Sequence, residues 1–305
     1  MTIVVTRLIG GLGNQFFQYT AGRALALRYN AALKLDVSGF ESYPLRRYEL
    51  DKYPIEATIA TPEELAMFGG DPDTGRVVQF VNAATGRSGQ KPGYTRYREP
   101  HFHFDPALFG AAPPVHLLGY WVTDRYFRHI ADRIRRELTP KEPLNDDNRR
   151  ALARIQSTFS VAVHIRRGDY VSNPVTTAYH GLLPLGYYRR AMDYIAERVS
   201  DPVFFVFSDD IGWVKDNLRH SVAMEMMSIN RADQGHRDLQ LMTACRHHIL
   251  ANSTFSWWGA WMSESAAKIV IAPTPWFLNM SLDTRDLLPG GWTAMEAYDP
   301  PLRAG

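Results

Sequence analysis

Cysteine is almost absent from the sequence, which has Cys245 alone among its 305 residues. A single cysteine excludes an intrachain disulfide framework and is typical of proteins in reducing compartments. The thiol closes the stretch DLQLMTAC, whose apolar spacing predicts a helix with one buried face. Because free cysteines are among the most buried residues, a structural thiol is favoured over a nucleophile.

A strong net charge of either sign is also lacking. The 34 basic and 32 acidic residues leave a formal charge of +2, which gives no reason to expect a nucleic acid as partner. The basic stretch between Arg125 and Arg136 contains Asp132 and is flanked by Asp124 and Glu137. Its mixed charges favour a solvated helix face over a nucleic-acid contact.

Long hydrophobic runs are missing as well. No segment approaches the ~18 consecutive apolar residues of a membrane-spanning helix. The N-terminal MTIVVTRLIGGLGNQ has a short β-branched run without a basic flank or a cleavage site. It is therefore predicted to be a first strand rather than a signal peptide. These absences predict a cytoplasmic protein without a transmembrane segment.

Apolar, β-rich runs alternate with helical patterns along the second half of the chain. The predicted strands are Phe159–Ile165, Val203–Phe207, Ala223–Ile229, His247–Ala251 and Lys268–Ala272. Such alternation predicts a parallel sheet covered on both faces, as in a Rossmann-type α/β domain. The first half repeats the scheme more loosely, beginning with a strand at Ile3–Thr6. The polar stretch Thr139–Asn148, which holds two prolines, is the best linker candidate.

Polar motifs follow four of the predicted strands. They are Gly10–Gln15, His164–Tyr170, Ser208–Asp210 and Asn252–Trp258. In open parallel sheets, ligands bind beyond the carboxyl ends of the strands. One such motif could arise by chance, whereas four together predict a binding site.

The first motif, GGLGNQ, places glycines at the start of a predicted helix. Glycines allow a sharp turn and expose backbone amides at the helix N-terminus, which favours an anion. Phe16 stands where a dinucleotide fingerprint needs its third glycine, and the Lys-Ser/Thr of a phosphate loop is absent. A plain tight turn is the alternative interpretation.

Two consecutive arginines, Arg166 and Arg167, follow the strand at Phe159–Ile165. A guanidinium offers a planar fork of donors that suits phosphate oxygens. Because side chains alternate along a strand, one arginine should face a ligand while the other makes a structural ion pair. Arg166 is the choice for the ligand, and Asp169 is the suggested ion-pair partner. His164 is either a satisfied core histidine or a donor to a base.

The last two motifs carry hydroxyl, amide and carboxylate groups. Ser208 and Asp209 are suited to the polar edge or ribose of a nucleotide, and a helix N-cap is the alternative. The residues that supply hydroxyls and an amide ahead of the next helix, again favouring an anion, are Asn252, Ser253, Thr254 and Ser256.

These motifs together resemble the bacterial α-1,2-fucosyltransferases of glycosyltransferase family 11. The residues that carry the resemblance are GGLGNQFFQYTAGRALA, GYWVTDRYF, HIRRGDYVSNPVTTAYHGLLPLGYY and LANSTFSWWGAWM, in this order. The resemblance extends from about Ile3 to Phe277. Thr20 stands where alanine is usual, and IAPTPWF replaces a more basic segment.

The resemblance implies an α/β, GT-B-like fold of two Rossmann-type domains facing a central cleft. Residues 1–145 would form the acceptor-side domain, residues 146–290 the GDP-fucose-binding domain, and residues 291–305 a tail. It also implies transfer of L-fucose from GDP-β-L-fucose to a galactoside 2-hydroxyl, with inversion. The acceptor stays open between a lactose-like β-galactoside and an O-antigen intermediate, and the latter would place the protein near the inner membrane surface without an anchor.

The resemblance also implies roles for individual residues. Arg166 would contact the pyrophosphate, and His164 and Asp209 would lie near the guanosine. The other residues of the implied donor site are Gly11, Asn14, Gln15, Ser208, Asn252, Ser253, Thr254 and Ser256.

No metal and no cofactor besides the donor are expected. An arginine and backbone amides can stabilise a departing diphosphate without a cation. The sequence has a DxD at Asp71–Asp73, but this lies in a Gly/Pro-rich stretch and is interpreted as a turn.

The candidate catalytic residues are Arg166, Asp169 and His180. Either Asp169 or His180 could serve as the base for the acceptor hydroxyl, and neither is favoured by the sequence. The alternatives to an α-1,2-fucosyltransferase are a fucosyltransferase of another linkage, another GDP-sugar transferase, and a non-catalytic sugar or nucleotide binder.

Overall fold

The structure, a computed structural model, describes residues 2–40, 46–69, 92–278 and 282–298, except the side chains of Asp169 and Ser172. The chain divides into two compact units, Met1–Thr139 and Pro140–Gly305. Each unit is built around one parallel β-sheet.

The sheet of the first unit has five strands in the order β3-β2-β1-β5-β4. Its strands are β1 Ile3–Arg7, β2 Ala32–Asp36, β3 Thr58–Ile59, β4 Thr95–Arg98 and β5 Val115–Leu118. The central strand β1 is buried along its whole length, as expected for a strand covered on both faces. It pairs in parallel with β2 on one side and β5 on the other.

In the described residues of the first unit the helices are α1 Leu12–Arg28, α2 Pro62–Ala66 and α3 Ala131–Glu137. Helix α1 follows β1 after four residues and is buried over most of its circumference, which makes it a core helix. Short 3₁₀ turns complete the unit at Ser38–Phe40, Leu50–Lys52, Pro106–Gly110, Asp124–Tyr126 and Arg128–Ile130.

The sheet of the second unit has six strands in the order β11-β10-β9-β6-β7-β8. These strands are β6 Phe159–Ile165, β7 Pro202–Ser208, β8 Met224–Met227, β9 His247–Ile249, β10 Val270–Thr274 and β11 Thr293–Glu296. Relative to β6, the order is that of a Rossmann sheet. The apolar runs predict β6 and β7 closely, because their residues are buried almost without exception.

The helices of the second unit surround this sheet. They are α4 Asp146–Gln156, α5 Gly168–Ser172, α6 Pro174–His180, α7 Leu185–Ala196, α8 Ile211–Asn217, α9 Gly235–Ala244 and α10 Thr254–Met262. A 3₁₀ turn at Ala232–Gln234 precedes α9. Cys245, the residue after α9, is buried in the core.

Strand β11 lies in the segment 291–305 that the sequence analysis assigned to a tail. It pairs in parallel with β10, from Ile271 opposite Thr293 to Thr274 opposite Glu296. The sequence TAME lacks the apolar run that marks a buried strand, because β11 lies at the sheet edge and is only partly buried.

The strand orders define where a ligand would bind. In the second sheet the chain runs from β6 to β7 and β8 on one side, then returns to β9 on the other. The position between β6 and β9 is therefore a topological switch point, where open α/β sheets bind their ligands. In the first sheet the corresponding position lies between β1 and β5.

None of the helices in the described part of the chain has the length and the apolar character that crossing a membrane requires.

Candidate active site

Three of the four polar motifs meet at the switch point of the second sheet. The motif His164–Tyr170 follows β6, and the motif Asn252–Trp258 follows β9 on one side of it. Ser208–Asp210 follows β7 on the other side. The parallel pairing of β6 with β7 and with β9 places the three motifs at the same edge of the second sheet.

Asp209 connects the ends of β6 and β7. Its Oδ2 atom lies 2.7 Å from Nη1 of Arg166, and its Oδ1 atom accepts the backbone N–H of Arg167 at 2.8 Å. A Cβ on Gly168 would lie 2.5 Å from Oδ2 of Asp209. A glycine is therefore required for the carboxylate to approach the turn, and this carboxylate fixes the guanidinium of Arg166 at the sheet edge.

Arg167 has a different environment from its neighbour. Its Nε atom donates to Oδ2 of Asp210 at 3.1 Å, and its guanidinium lies 3.4 Å from the centroid of the Trp213 ring. Asp210 also caps α8, because its Oδ1 accepts the N–H of Trp213. The ion-pair partner of the second arginine in the described residues is thus Asp210, and the helix cap considered for Asp209 belongs to Asp210.

Ser208 supports this turn through its hydroxyl oxygen, which accepts the backbone N–H of Asp210 at 3.0 Å. The side chain is partly buried at the end of β7. Ser208 therefore lies next to Asp209 at the carboxyl end of β7.

His164 is a buried histidine next to the Arg166–Asp209 pair, with 5% of its surface exposed. Burial lowers the pKa of its imidazole to about 4; the carboxylate of Asp209 raises this pKa and the guanidinium of Arg166 lowers it. The ring is therefore neutral at pH 7. Its Nδ1 atom is buried without a hydrogen-bond partner among the described residues, which is unusual for a buried polar atom.

Asn252 holds three segments together and is 2% exposed. Its side-chain amide donates to the backbone carbonyl oxygens of His180 at 2.7 Å and of Trp276 at 3.3 Å. Its own carbonyl accepts the hydroxyl of Tyr170 at 3.0 Å. The amide of Asn252 therefore holds these loops in position.

The hydroxyl residues at the start of α10 differ in orientation. Ser253 caps the helix by accepting the N–H of Phe255 at 3.3 Å. Ser256 is fully buried and donates to the carbonyl oxygens of Ala251 and Ser253. Thr254, the first residue of the helix, is partly exposed. Ser256 therefore does not line the site, whereas Ser253 and Thr254 lie at the helix N-terminus.

Of the two candidate bases, the structure describes the side chain of His180. It ends α6, and its ring stacks on Tyr170 with centroids 4.9 Å apart and packs against Phe277 at 5.3 Å. The side chain of Asp169 lies outside the described residues.

The candidate residues of the first unit lie in the turn between β1 and α1. Gln15 is fully buried; its amide donates to the carbonyl oxygens of Gly10 and Arg47, and its oxygen accepts the N–H of Glu49. Gln15 therefore connects these two loops. Asn14, in the first turn of α1, is partly exposed.

The glycines of this turn have distinct roles. Gly10 has a φ of 76°, and a Cβ there would lie 2.5 Å from Nδ2 of Asn14. Gly11 is the N-cap of α1 and has an extended backbone. The turn thus presents the amides of the first turn of α1 at the carboxyl edge of the first sheet.

Two functional candidates in the first unit escaped the sequence analysis. Gln18 accepts the N–H of Ile9 and donates to the carbonyl of Gly119, which joins the loops after β1 and β5. Glu99 follows β4 and accepts the N–H groups of Tyr120 and Trp121. The motif GYW was the available signal, since it contains both of the residues that donate to Glu99.

No cluster of three or more potential metal ligands occurs among the described side chains. Asp71 and Asp73 of the DxD lie outside the residues that the structure describes.

Comparisons with known proteins agree with this architecture. The sequence model of glycosyl transferase family 11 matches residues 90–295. Alpha-1,2-colitosyltransferase of Escherichia coli is 38% identical over 301 residues, which cover 97% of this chain and all of that protein. Galactoside alpha-(1,2)-fucosyltransferase 1 of Rattus norvegicus is 29% identical over 205 residues, or 63% of this chain and 54% of that protein.

Among solved structures, Arabidopsis thaliana FUT1 in complex with GDP superposes with a TM-score of 0.51 at 11% identity. The match covers 88% of this chain and 70% of that one, and at this identity it bears on the fold alone. The chain therefore belongs to glycosyl transferase family 11 and has the two parallel-sheet α/β domains of a GT-B-like glycosyltransferase.

Proposed function

We propose that the protein transfers L-fucose from GDP-β-L-fucose to the 2-hydroxyl of a galactoside, with inversion and without a metal ion. In this proposal residues 140–305 bind the donor and residues 1–139 bind the acceptor glycan in the cytoplasm. The observation that carries the proposal is the guanidinium of Arg166, which is held by Asp209 at the switch point of the second sheet.

The diphosphate of the donor suits the charges at this edge. A guanidinium offers a planar fork of N–H donors that suits phosphate oxygens, and the amides at the N-terminus of α10 favour an anion. When the bond between the anomeric carbon and the diphosphate breaks, the electron pair leaves with GDP. Arg166, together with the α10 amides beside Ser253 and Thr254, would stabilise that charge as it develops.

The guanosine of the donor suits the neutral imidazole of His164. Nδ1 of this ring is buried without a partner among the described residues, so a ligand polar atom would satisfy it. Asp209 lies close to this ring, and its carboxylate would accept hydrogen bonds from the ribose hydroxyls or from the edge of the base.

Transfer of colitose is a second candidate, favoured by the 38% identity to an alpha-1,2-colitosyltransferase over nearly the whole chain. Colitose is fucose without its 3-hydroxyl group. A site that hydrogen-bonds this hydroxyl rejects the deoxy sugar strongly, whereas an apolar pocket discriminates weakly against either. The ratio of the transfer rates with GDP-fucose and with GDP-colitose therefore distinguishes the two candidates.

The test is release of GDP from GDP-fucose, GDP-colitose and GDP-mannose, with methyl β-D-galactoside as acceptor and EDTA present. The proposal predicts the highest kcat/KM for GDP-fucose and an α-1,2 product by NMR. A higher kcat/KM for GDP-colitose would select the second candidate. GDP binding without GDP release from any donor would mean a non-catalytic binder.

A further inference from the structure

A cavity of about 240 Å³ opens at the carboxyl edge of the first sheet. It lies at the ends of β1, β4 and β5, beside the switch point of that sheet. Its walls include Arg7, Ile9, Arg98, Glu99, Leu118 and Tyr120. This mixture of apolar surface, an aromatic ring and a few polar groups is typical of a small-molecule site.

Glu99 is built into the wall of this cavity. Its Oε2 accepts the N–H of Tyr120 at 2.7 Å, and its Oε1 accepts that of Trp121 at 3.0 Å. A Cβ on Gly119 would lie 2.5 Å from Cβ of Glu99 and 2.8 Å from its Oε2. A carboxylate offers about four lone-pair sites, so these two bonds fix its position and leave acceptor capacity for a ligand hydroxyl.

The surroundings of Glu99 favour exchange of a proton near neutral pH. Burial raises the pKa of its carboxyl to about 7, against the lowering effects of the two N–H bonds and of His101. Arg7 from β1 and Arg98 from β4 line the same cavity as Glu99. The titratable groups that interact electrostatically with its carboxyl are His101 and Asp105 from the segment after β4, and Tyr126 from the turn after β5. General bases are most effective when their pKa lies near the working pH.

The side chain of Tyr120 adds an exposed aromatic surface and a hydroxyl group to the cavity wall. This side chain is 43% exposed, and an aromatic ring with a polar tip suits a ligand with apolar and hydroxylated faces. A pyranose has both kinds of face.

We propose that this cavity binds the acceptor sugar and that Glu99 is the base that removes the proton of the hydroxyl to be glycosylated. This proposal rests on the proposed function. The hydroxyl oxygen forms the new bond to the anomeric carbon, while the bond to the diphosphate breaks and its electrons leave with GDP. The hydroxyl proton passes to the carboxylate of Glu99 and then to water. Glu99 replaces Asp169 and His180 in this role.

The test compares Glu99→Gln with the wild-type protein in GDP release from GDP-fucose, with methyl β-D-galactoside or water as acceptor. Wild-type kcat should fall as the pH drops below about 7 and the carboxylate is protonated. The variant should lose about 100-fold or more in kcat and should lack this acidic limb. The Kd for GDP, measured by calorimetry, should stay unchanged.

Two variants separate catalysis from support of the loop. Glu99→Asp keeps the carboxylate and should retain more activity than Glu99→Gln, with the acidic limb still present. Asp238→Asn is the control, because it removes a second carboxyl with a raised pKa. Asp238 accepts a hydrogen bond from Asn230 within the second unit, so this variant should leave kcat unchanged.

The proposal is overturned if Glu99→Gln keeps kcat within a few-fold or retains the limb, or if Glu99→Asp is as inactive as Glu99→Gln. Failure of the wild-type protein to bind GDP, or binding of GDP without release from GDP-fucose, would instead contradict the proposed function.

Discussion

Two adjacent arginines have different partners because their side chains leave the strand end in different directions. Arg166 reaches Asp209 at the switch point, whereas Arg167 reaches Asp210 and the face of Trp213. The sequence alone could not assign the partners, since Asp169, Asp209 and Asp210 are all suitable carboxylates. At the scale of the residue, a ligand role is proposed for Arg166 and a structural role is assigned to Arg167.

We predict that Arg166→Lys weakens GDP binding at least tenfold, or about 1.4 kcal/mol. Lysine keeps the charge but lacks the planar fork that contacts a carboxylate and a phosphate together. The matched variant, Arg167→Lys, loses the contact with Trp213 and should lower the melting temperature with a smaller change in affinity. Titration calorimetry measures both affinities, and a larger loss for Arg167→Lys would contradict the assignment.

The turn between β6 and α5 is the element on which the candidate site depends. The turn stays tight because Gly168 lets the carboxylate of Asp209 approach the backbone. Asp209 in turn reaches the next strand end through the N–H of Arg167. The position of the Arg166 guanidinium therefore depends on the ends of both β6 and β7.

We predict that Gly168→Ala weakens GDP binding about tenfold or more, because the added Cβ displaces Asp209 and with it Arg166. Gly212→Ala is the control: it lies in α8 with no atom within 4 Å of an added Cβ. Alanine is favoured over glycine in a helix by up to about 1 kcal/mol, so this variant should be as stable as the wild type or more so. Equal GDP affinities in the two variants would refute the role of the turn.

Elements with long apolar runs were predictable from the sequence, and short or edge elements were not. Strand β6 matches its predicted bounds, because a buried central strand must be apolar throughout. Strands β3, β4 and β11 have two to four residues and are partly exposed, so no such run marks them. The stretch from Arg125 was predicted as one helix, but α3 begins only at Ala131, since Tyr126 and Phe127 are both fully buried.

The motifs predicted where the site is, but not which way each polar side chain points. Gln15, Asn252 and Ser256 are predicted to contact the donor, and in the structure each donates to backbone carbonyl oxygens. Amides and hydroxyls serve loops and ligands equally well, so residue type does not decide between the two. Glu99 was overlooked because its donors, in GYW, are distant from it in the sequence.

The stability of the whole molecule should depend on pH through its buried histidines. Burial, helped by Lys268 and His247, lowers the pKa of His248 to about 3. In the unfolded chain a histidine has a pKa of about 6.5 and therefore binds a proton more readily than the buried His248 does. The contribution of His248 to the free energy of unfolding is thus complete above about pH 6.5 and is lost as the pH falls towards 3.

We predict that His248→Leu removes about 2 kcal/mol of the stability difference between pH 7.5 and pH 5, at about 1.4 kcal/mol per pKa unit. Urea unfolding at the two pH values measures this difference. An unchanged difference in the variant would show that His248 does not carry the acid sensitivity.

The central claim, that the second unit binds a guanosine diphosphate donor at its switch point, is tested most directly by thermal unfolding of the full chain with ligands. GDP and GDP-fucose at a hundredfold excess over Kd should stabilise the protein by about 2.7 kcal/mol, with EDTA making no difference. UDP, ADP and NADH should not stabilise it, and Arg166→Lys should reduce the effect of GDP. Stabilisation by UDP or NADH in place of the guanosine nucleotides would contradict the claim.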